Sequence, residues 1–538
     1  MAAVVASQPF EVGQRVKDGV EFRGTVRYVG PVVTSKKDPA AIWVGVEWDD
    51  GTRGKHDGSV VDDATGERVR YFRCGATAGS FVKPSKVDGG GGLVAALRAK
   101  YVGMDAPVEA PGGHFEHKAY TKRGNTKAIE FCGELKVRAE QQLDAGRVDT
   151  AMLRCRGVRG LGDVAPGDRA QLATLVALDL QCNLLRRWAD VAEIVAACPA
   201  LRILDVSGNA LSWDGAGDLA SLAKLESLAA NGVGLRGWAD VARLGDACGG
   251  LRVLHVANND VCADGVGAAP FPRLELLDVA ATGLKDAAPL AALPKLAELH
   301  ASENPELRGL GTSVFAGLEA LALSGCGVER WADVDALVAS CPKLGKLRFG
   351  RDNAVTASLG ASEARALLVA RLPTVRHLNG ADVSRKERVE AEKRYVRIAT
   401  AQVAGGAPAA DHPRLAALVE KHGDPNDAPK DAAAGAGGLA ANLVQVALRC
   451  VAAEACHLEP VTKKLPGSAK VALVKRLAKK LFKLGDADVV LYFKPEADAW
   501  PVTLDDDAMT LAYFGVPDGA TIDVADKLDE GKENAGDQ

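Results

Sequence analysis

A nine-residue pattern that recurs through the middle of the chain constrains its fold more than any other feature. The pattern has the ideal form Leu-x-x-Leu-x-Leu-x-x-Asn, and its copies begin at Leu175, Leu201, Leu225, Leu251, Leu274, Leu296, Leu318 and Leu344. The intervals are 26, 24, 26, 23, 22, 22 and 26 residues. Each copy predicts one short parallel strand with a return segment, and stacked copies bury apolar faces that no single copy could cover. A solenoid follows.

The period and the consensus are typical of leucine-rich repeats, which span roughly 20–29 residues each. In such an α/β solenoid, the strand position between the second and third apolar residues projects from the concave face. The candidate binding residues on that face are Asp179, Asp205, His255, Asp278, His300 and Arg348. Aligned polar side chains are a common recognition surface, although a solvated ladder without a partner is the alternative. No Cys or further His completes a coordination sphere there, so no metal site is predicted.

The end of the array carries the signals of a capping helix. Ser384 with Glu387 forms a plausible capping box before a polar helical run from Val389 to Arg397. The tetrapeptide Trp-Ala-Asp-Val occurs three times, beginning at Trp188, Trp238 and Trp331. We expect these tryptophans to pack between repeats rather than to bind a ligand.

A glycine-bracketed loop near the N-terminus is the strongest candidate for a binding site. It has the sequence Gly54-Lys55-His56-Asp57-Gly58 and is flanked by aromatic residues on both sides. The glycines allow the backbone to turn sharply and to point N–H groups outward, while the lysine adds a positive charge. Such a pocket suits a chain-terminal carboxylate. The alternative is a plain turn between strands whose aromatic neighbours form only the core.

The segment from Phe10 to Lys83 resembles a CAP-Gly domain, a small all-β module with a Gly-Lys-Asn-Asp-Gly loop. His56 replaces the asparagine of that motif. The resemblance implies recognition of the acidic tail of α-tubulin or of end-binding proteins, whose terminal carboxylates lie against the loop. The residues it implicates in binding the tail are Trp43, Trp48, Gly54, Lys55, His56, Asp57, Gly58, Phe72 and Phe81.

The C-terminal part changes to a mixed strand and helix pattern. An alternating strand begins at Leu443, and an amphipathic helix is predicted from Val471 to Leu484 with Leu473, Leu477 and Leu481 on its apolar face. Further strands and a short Gly-bearing turn follow. This order resembles the α+β ubiquitin-like β-grasp.

The chain is therefore predicted to be multidomain. We expect a CAP-Gly domain at 8–86, a flexible linker with a short helix at 87–147, a leucine-rich repeat solenoid with its C-terminal cap at 148–400, a linker at 401–440, a ubiquitin-like domain at 441–526 and a disordered tail at 527–538. The run from Gly89 to Gly92 is predicted to be a hinge between the first module and the repeats.

Composition and motif searches narrow the functional classes. A net charge of −4 argues against a general nucleic-acid binder, and 11 cysteines without a Cys-x-x-Cys pair are typical of reduced thiols in a cytosolic protein. No apolar run is long enough to span a membrane. A phosphate-binding loop would need glycine at Asp49 and a hydroxyl at His56. With no other catalytic motif in the sequence, we predict no enzyme activity, no catalytic residue and no cofactor.

The order of the three modules resembles the tubulin-folding cofactor E family. That resemblance implies a cytoplasmic, cytoskeleton-associated chaperone that binds α-tubulin and assists assembly and dissociation of the αβ-tubulin heterodimer with tubulin-folding cofactors B, C and D. Two alternatives remain open. The chain could be a microtubule-associated CAP-Gly adaptor that reads acidic C-terminal tails, or a ubiquitin-like adaptor that links clients to the proteasome.

Overall fold

The computed structural model describes most of the chain, which divides into two compact units, residues 1–327 and 328–538. The described residues are 10–33, 40–62, 65–102, 149–217, 219–262, 265–267, 270–423, 443–451, 458–466, 469–484, 488–493, 502–504, 510–511, 514 and 516–526. The predicted tail at 527–538 lies outside them. Each unit is presented separately below.

The first unit begins with a small all-β module. Its strands are β1 (Arg15–Asp18), β2 (Arg23–Gly30), β3 (Trp43–Trp48), β4 (Ser59–Val61), β5 (Arg68–Arg70), β6 (Gly79–Val82) and β7 (Val87–Asp88). A five-stranded antiparallel sheet has the order β6-β3-β2-β1-β7, and β4 pairs with β5. Because side chains alternate along a strand, Val44, Val46 and Trp48 of β3 enter the core together. The predicted all-β class is confirmed.

The repeats of the first unit form a parallel ladder. Its strands in this unit are β9 (Thr150–Met152), β11 (Ala177–Asp179), β12 (Ile203–Asp205), β13 (Ser227–Ala229), β14 (Val253–His255), β15 (Leu276–Asp278), β16 (Glu298–His300) and β17 (Ala320–Ala322). The strands β8 (Gly91–Gly92) and β10 (Val158–Gly160) pair with each other in a separate two-stranded sheet. The central leucine of one strand pairs with that of the next, as Leu178 does with Leu204 and Leu204 with Leu228. These leucines are buried, and the predicted solenoid is confirmed.

Short helical segments return the chain between these strands. They are Leu93–Leu97, Asp168–Thr174, Trp188–Ala197, Gly237–Ala247 and the 3-10 turns Ala220–Lys224 and Ala288–Ala292. Trp188 is fully buried and stacks on Trp213, and Trp238 is also buried, in agreement with the prediction that they pack between repeats.

One residue in the turn after each ladder strand of this unit adopts a left-handed conformation, with φ between 54° and 68°. The residues of this column are Cys155, Cys182, Gly208, Gly232, Asn258, Ala281, Glu303 and Gly325. The same backbone bend recurs after each of these ladder strands, which we call rungs, because the chain must leave each rung in the same direction for the rungs to stack. Only some of these positions hold glycine or asparagine, the residues that adopt this conformation most readily.

The consensus asparagines join neighbouring repeats by hydrogen bonds. Asn259 donates from its amide to the Ala230 carbonyl at 2.9 Å, and its side-chain oxygen accepts from the N–H groups of Val233 and Leu235 at 3.0 and 3.1 Å. Asn183, Asn209 and Asn304 make the corresponding contacts. All four side chains are buried, so they satisfy backbone groups that water cannot reach.

The prediction of a flexible hinge at Gly89 to Gly92 is wrong where the structure describes it. Gly91 and Gly92 form β8, which pairs in parallel with Val158 and Gly160 of β10. Gly90 has φ +70°, and a Cβ at this position would lie 2.0 Å from the Gly157 carbonyl oxygen. The glycines therefore allow two backbones to approach closely. The rest of that predicted linker, from residue 103 to 148, lies outside the described residues.

A side chain of the N-terminal module adds a second contact with the repeats. Arg23 of β2 donates to the Gly208 carbonyl at 2.6 Å, on the left-handed column described above. Arg98, beyond the glycine run, pairs with the Asp168 carboxylate. The all-β module and the first repeats are therefore one connected body within the first unit.

The second unit begins with the last repeats and their cap. It contains the helices Trp331–Asp335, Leu337–Ser340, Ala354–Ala357, Ala361–Arg371, Arg385–Ala404 and Leu415–His422, the 3-10 turn Ala409–Asp411 and the strands β18 (Lys346–Arg348), β19 (His377–Leu378) and β20 (Ala381–Asp382). Ser384 accepts from the Glu387 N–H at 3.0 Å, which confirms the serine half of the predicted capping box, whereas the Glu387 carboxylate accepts from Arg365 at 2.6 Å.

Part of the predicted linker at 401–440 is ordered helix. Glu392, buried in the cap helix, accepts from Lys421 at 2.7 Å and lies 2.8 Å from the His422 ring nitrogen. These contacts join the helix Leu415–His422 to the cap helix. Residues 424–442 lie outside the described residues.

The C-terminal part of this unit is a β-grasp. Its strands are β21 (Leu443–Cys450), β22 (Val461–Pro466), β23 (Val489–Phe493), β24 (Val502–Thr503) and β25 (Ala520–Asp526), in the sheet order β22-β21-β25-β23-β24, with the helix Val471–Phe482. The predicted α+β class is confirmed. The helix buries Val471, Val474, Ala478 and Phe482, whereas Leu473, which we expected in the apolar face, is exposed.

The asparagine contacts generate a prediction about stability. Asn259→Ala leaves buried backbone groups of Ala230, Val233 and Leu235 without partners, at a cost of about 1–3 kcal/mol for each such group. We expect the variant to lower the free energy of unfolding by about 2 kcal/mol or more, measured by urea unfolding of the full chain. Asp246→Ala, an exposed change in the preceding repeat, is the control and should leave the midpoint unchanged. Equal midpoints for the two variants would contradict the role of the asparagine.

Candidate functional site

The glycine-bracketed loop is bound to strand β6 through its backbone. The N–H of Lys55 donates to the Gly79 carbonyl at 2.7 Å, and the Gly79 N–H donates to the His56 carbonyl at 2.8 Å. Gly58 has φ +86°, and a Cβ there would lie 2.3 Å from the Phe72 carbonyl oxygen. A Cβ on Gly54 would lie 2.4 Å from the Ala78 backbone. Both glycines are therefore required for the loop to pack against the module.

An aromatic cluster stands beside this loop. The His56 ring stacks on Phe81 with centroids 4.9 Å apart, and Phe81 meets Phe72 and Tyr71 edge-on at 5.5 and 5.2 Å. Tyr28 meets Tyr71 at 4.8 Å. Apart from Phe72, which is buried, these side chains are partly exposed, so the cluster presents an apolar wall with polar edges to solvent.

A third glycine makes room for the cluster. Gly45 of β3 faces the aromatic side chains, and a Cβ there would lie 2.6 Å from the Phe72 ring. Alternation along β3 places Trp43 on the same face as Gly45 and places Trp48 on the opposite face. Trp48 is only 3% exposed and packs in the core. The structure thus brings together the predicted loop residues with Phe72 and Phe81, but it separates Trp48 from them.

Two tyrosines of the cluster were not among the predicted residues. Tyr71 directly precedes Phe72, and Tyr28 lies opposite Gly45 in the pairing of β2 with β3. Tyr71 also accepts from the Val33 N–H at 2.8 Å, which holds the preceding loop near the cluster. An aromatic next to a predicted pocket residue was an available signal for Tyr71. Tyr28 could be found only from the strand register.

Asp57 stabilises the loop from within. Its carboxylate accepts from the Ser59 N–H at 3.2 Å and from the Arg70 guanidinium at 2.7 Å. The Ser59 hydroxyl and Arg70 hold the pKa of this carboxyl well below its usual range. Asp57 is therefore ionised and neutralised inside the module, which leaves the exposed Lys55 ammonium as the charge at the tip of the loop.

His56 is best suited to act as a neutral donor. Burial lowers its pKa, against the opposite effect of Asp57. Its Nδ1 accepts from the Gly58 N–H at 3.1 Å, so the proton of the neutral ring is on Nε2. A cationic lysine, a neutral N–H donor and an apolar wall together suit a carboxylate next to an aromatic or aliphatic side chain.

The predicted concave positions align in the ladder of the first unit. Asp179 pairs with Asp205, and His255 with Asp278 and then His300 on successive strands. Asp179, His255 and Asp278 are buried, so the alternative of a solvated ladder does not describe these three. Arg348, in the second unit, is exposed.

The buried members of this ladder contact one another and the adjacent turns. His255 Nδ1 lies 3.1 Å from the Asp278 carboxylate, and Asp179 accepts from the Gln181 N–H at 2.8 Å. Burial, together with the neighbouring Asp205, raises the pKa of Asp179 to about 6. These side chains support their own backbone, and their role in recognition remains a prediction.

Two structural features are absent from the described part of the chain. Among those residues, no group of three or more His, Cys, Asp and Glu side chains could hold a metal ion. No helix among them combines the length and the apolar character that crossing a membrane requires.

Comparisons with known proteins agree with this architecture. A family model described as the CAP-Gly domain matches residues 12–87. Tubulin-folding cofactor E of Arabidopsis thaliana is 30% identical to this chain over 545 residues, which cover 97% of this chain and 99% of the relative. The chain belongs to the tubulin-folding cofactor E family.

Relatives from vertebrates give the same result. Tubulin-specific chaperone E of Danio rerio is 29% identical, with 95% of this chain and 98% of the relative covered, and that of Homo sapiens is 28% identical, with 94% and 97% covered. A solution structure of the C-terminal ubiquitin-like domain of mouse tubulin-specific chaperone e covers 19% of this chain and 98% of its own, at 21% identity and a TM-score of 0.15.

The environment of His56 generates a prediction about pH. Because burial favours the neutral ring, the folded pKa should lie below the ordinary value of about 6.5. The contribution of His56 to stability is then fully present above pH ~6.5 and is lost as the pH falls through the folded pKa. NMR titration of the histidine resonances measures this, and His56→Asn identifies the signal. A His56 pKa at or above ~6.5 would contradict the buried, stacked position.

Proposed function

We propose that this protein is a tubulin-folding chaperone that holds α-tubulin by its acidic C-terminal tail. Membership of the tubulin-folding cofactor E family supports the general role. The observation that carries the proposal is the loop from Gly54 to Gly58, in which the exposed Lys55 stands beside His56 stacked on Phe81. A tail that ends in acidic residues and an aromatic would place its carboxylates on Lys55 and His56 and its ring on the aromatic wall.

The proposed mechanism is binding without covalent chemistry. A hydrogen bond between charged groups contributes about 1.5–3 kcal/mol, so two or three of them with one buried ring give about micromolar affinity after the tail is ordered. Such affinity suits capture and release. Once the tail is held, the rest of tubulin is at high effective concentration near the repeats, where weak contacts become sufficient. The proposal assigns no catalytic residue and no cofactor to this chain.

The finer partners are part of the same proposal. In the cytoplasm, the protein would work with tubulin-folding cofactors B, C and D to assemble αβ-tubulin heterodimers and to dissociate existing ones. The β-grasp at the C-terminus would offer a second docking module, with the proteasome as a candidate partner. The candidate concave residues of the repeats would contact the body of tubulin.

The first test is binding to soluble αβ-tubulin. Lys55→Ala removes the charge that meets the tail carboxylate, so we expect affinity to fall about tenfold or more, corresponding to the loss of one charge-assisted hydrogen bond. Lys86→Ala, an exposed lysine of the same module outside the pocket, is the matched control. Fluorescence anisotropy with labelled tubulin measures both. Tubulin from which the acidic tails have been removed should bind the unmodified protein and Lys55→Ala equally weakly.

Other outcomes would redirect the proposal. Tight binding to microtubules with none to soluble heterodimer would contradict the chaperone and favour a microtubule-associated adaptor. Equal affinity of Lys55→Ala and Lys86→Ala for intact tubulin would show that the loop from Gly54 to Gly58 does not bind the tail. Dissociation of heterodimers can be measured by the exchange of labelled subunits. If the protein bound heterodimers but caused no exchange, that result would contradict the dissociation step alone.

A further inference from the structure

Two cysteines occupy equivalent positions on the first two rungs of the repeat ladder. The pairing of β9 with β11 sets Ala151 opposite Leu178, and the same offset places Cys155 beside Cys182. The Cys155 N–H donates to the Gln181 carbonyl at 3.0 Å, so the register continues through the turn. Both cysteines belong to the left-handed column, with φ values of 59° and 57°.

This placement satisfies the backbone requirement of a disulfide. Neighbouring strands lie about 4.8 Å apart, and disulfides join Cα atoms that are about 4.4–6.8 Å apart. The two thiols are close enough to shift the pKa of each other. Because both cysteines have the same backbone conformation on adjacent rungs, their Cα–Cβ bonds point the same way, and rotation about these bonds would bring the sulfurs together.

A glycine follows the pair on the next rung of the column. The next residue of the column is Gly208, and its absent Cβ would lie 3.0 Å from the Cys182 sulfur. Residue 208 therefore places no side chain of its own against the Cys182 sulfur. Arg23 reaches the same place from the N-terminal module and donates to the Gly208 carbonyl.

The two sulfurs differ in exposure and in charge environment. Cys155 is exposed and Cys182 is half-buried. The hydrogen bond from Cys182 lowers the pKa of Cys155, and the nearby Arg154 and Arg23 lower it further against the effect of burial. The same hydrogen bond, with burial, raises the pKa of Cys182. Cys155 is thus the accessible thiolate and Cys182 the adjacent thiol.

The buried cysteines of the array have a different setting. Cys198, Cys248 and Cys341 end helical returns and are fully buried. Burial raises the pKa of each of them. They fit the expectation of reduced, inert thiols, whereas the Cys155–Cys182 pair does not.

We propose that Cys155 and Cys182 are a peroxide-sensitive dithiol that closes reversibly into a disulfide. The Cys155 thiolate attacks one oxygen of hydrogen peroxide, which breaks the O–O bond and gives a sulfenic acid with hydroxide as the leaving group. The Cys182 thiol then attacks the sulfenic sulfur, the S–S bond forms, and water leaves. Two thiols and one peroxide give one disulfide and two waters, and an added dithiol reverses the step.

The bond would lie at the contact between two modules. It would join the first two rungs of the column beside the point where Arg23 of β2 meets Gly208. Oxidation would therefore fix the part of the array on which the N-terminal module rests. This inference is independent of tubulin binding.

The test is mass spectrometry of the full-length protein after treatment with hydrogen peroxide. In the unmodified protein, iodoacetamide should alkylate Cys155 at least about tenfold faster than Cys248. After peroxide, a peptide pair linked through Cys155 and Cys182 should appear, alkylation of Cys155 should be lost, and dithiothreitol should restore it. Cys182→Ser should leave Cys155 as a sulfenic acid, trapped by dimedone.

A matched control and two contrary results define the outcome. Cys74→Ser changes a half-buried cysteine of the first module and should leave the linked peptide unchanged, because burial raises the pKa of Cys74. A link from Cys155 to Cys132 or Cys456, which lie outside the described residues, would overturn the proposal. So would peroxide oxidation of the unmodified protein that stops at the sulfenic or sulfinic acid of Cys155 without a link.

Discussion

The stacking of very short strands is the constraint on which most of the first unit depends. Each rung contributes only three paired residues, so the ladder holds together only if every rung repeats the same buried contacts at the same offset. The central leucines supply the apolar contact, and asparagines such as Asn259 satisfy the turn backbone between rungs. The left-handed residue of each turn follows from the same demand, because a rung that left its strand in another direction could not stack on its neighbour.

This constraint explains why so much of the array could be predicted from the sequence. Leucine and asparagine stand at fixed offsets, so the strands and their register follow from counting. The paired structure of the glycine run from Gly89 to Gly92 could not be predicted in that way. A run of glycines fits either a flexible linker or a close approach of two backbones, and only the position of Gly157 opposite Gly90 decides between them. The β-grasp helix shows a smaller error, because Leu473 has the right residue type but lies one position away from the buried face.

The residues of the candidate site likewise fall into those that could be predicted from local sequence and those that could not. Gly54, Lys55, His56 and Gly58 could be predicted because a loop motif is local in sequence. The assignment of Trp48 to the pocket was an error of direction, since alternation along β3 sends Gly45 to the aromatic cluster and Trp48 to the core. Tyr28 joins the cluster through the pairing of β2 with β3, and a contact between strands leaves no local mark in the sequence.

Because the glycine run is not a flexible hinge, the proposed binding of the tubulin tail would act differently from binding through a flexible linker. A flexible linker would let the tail site search a wide volume, and the effective concentration of tubulin at the repeats would fall as the linker became longer. Here β8 pairs with β10 and Arg23 binds the Gly208 carbonyl, so the loop that carries Lys55 stays at a fixed distance from the first repeats. In the proposed complex, the flexible element would then be the tubulin tail itself. Its length, rather than a linker in this chain, would determine which part of the repeats the body of tubulin can reach.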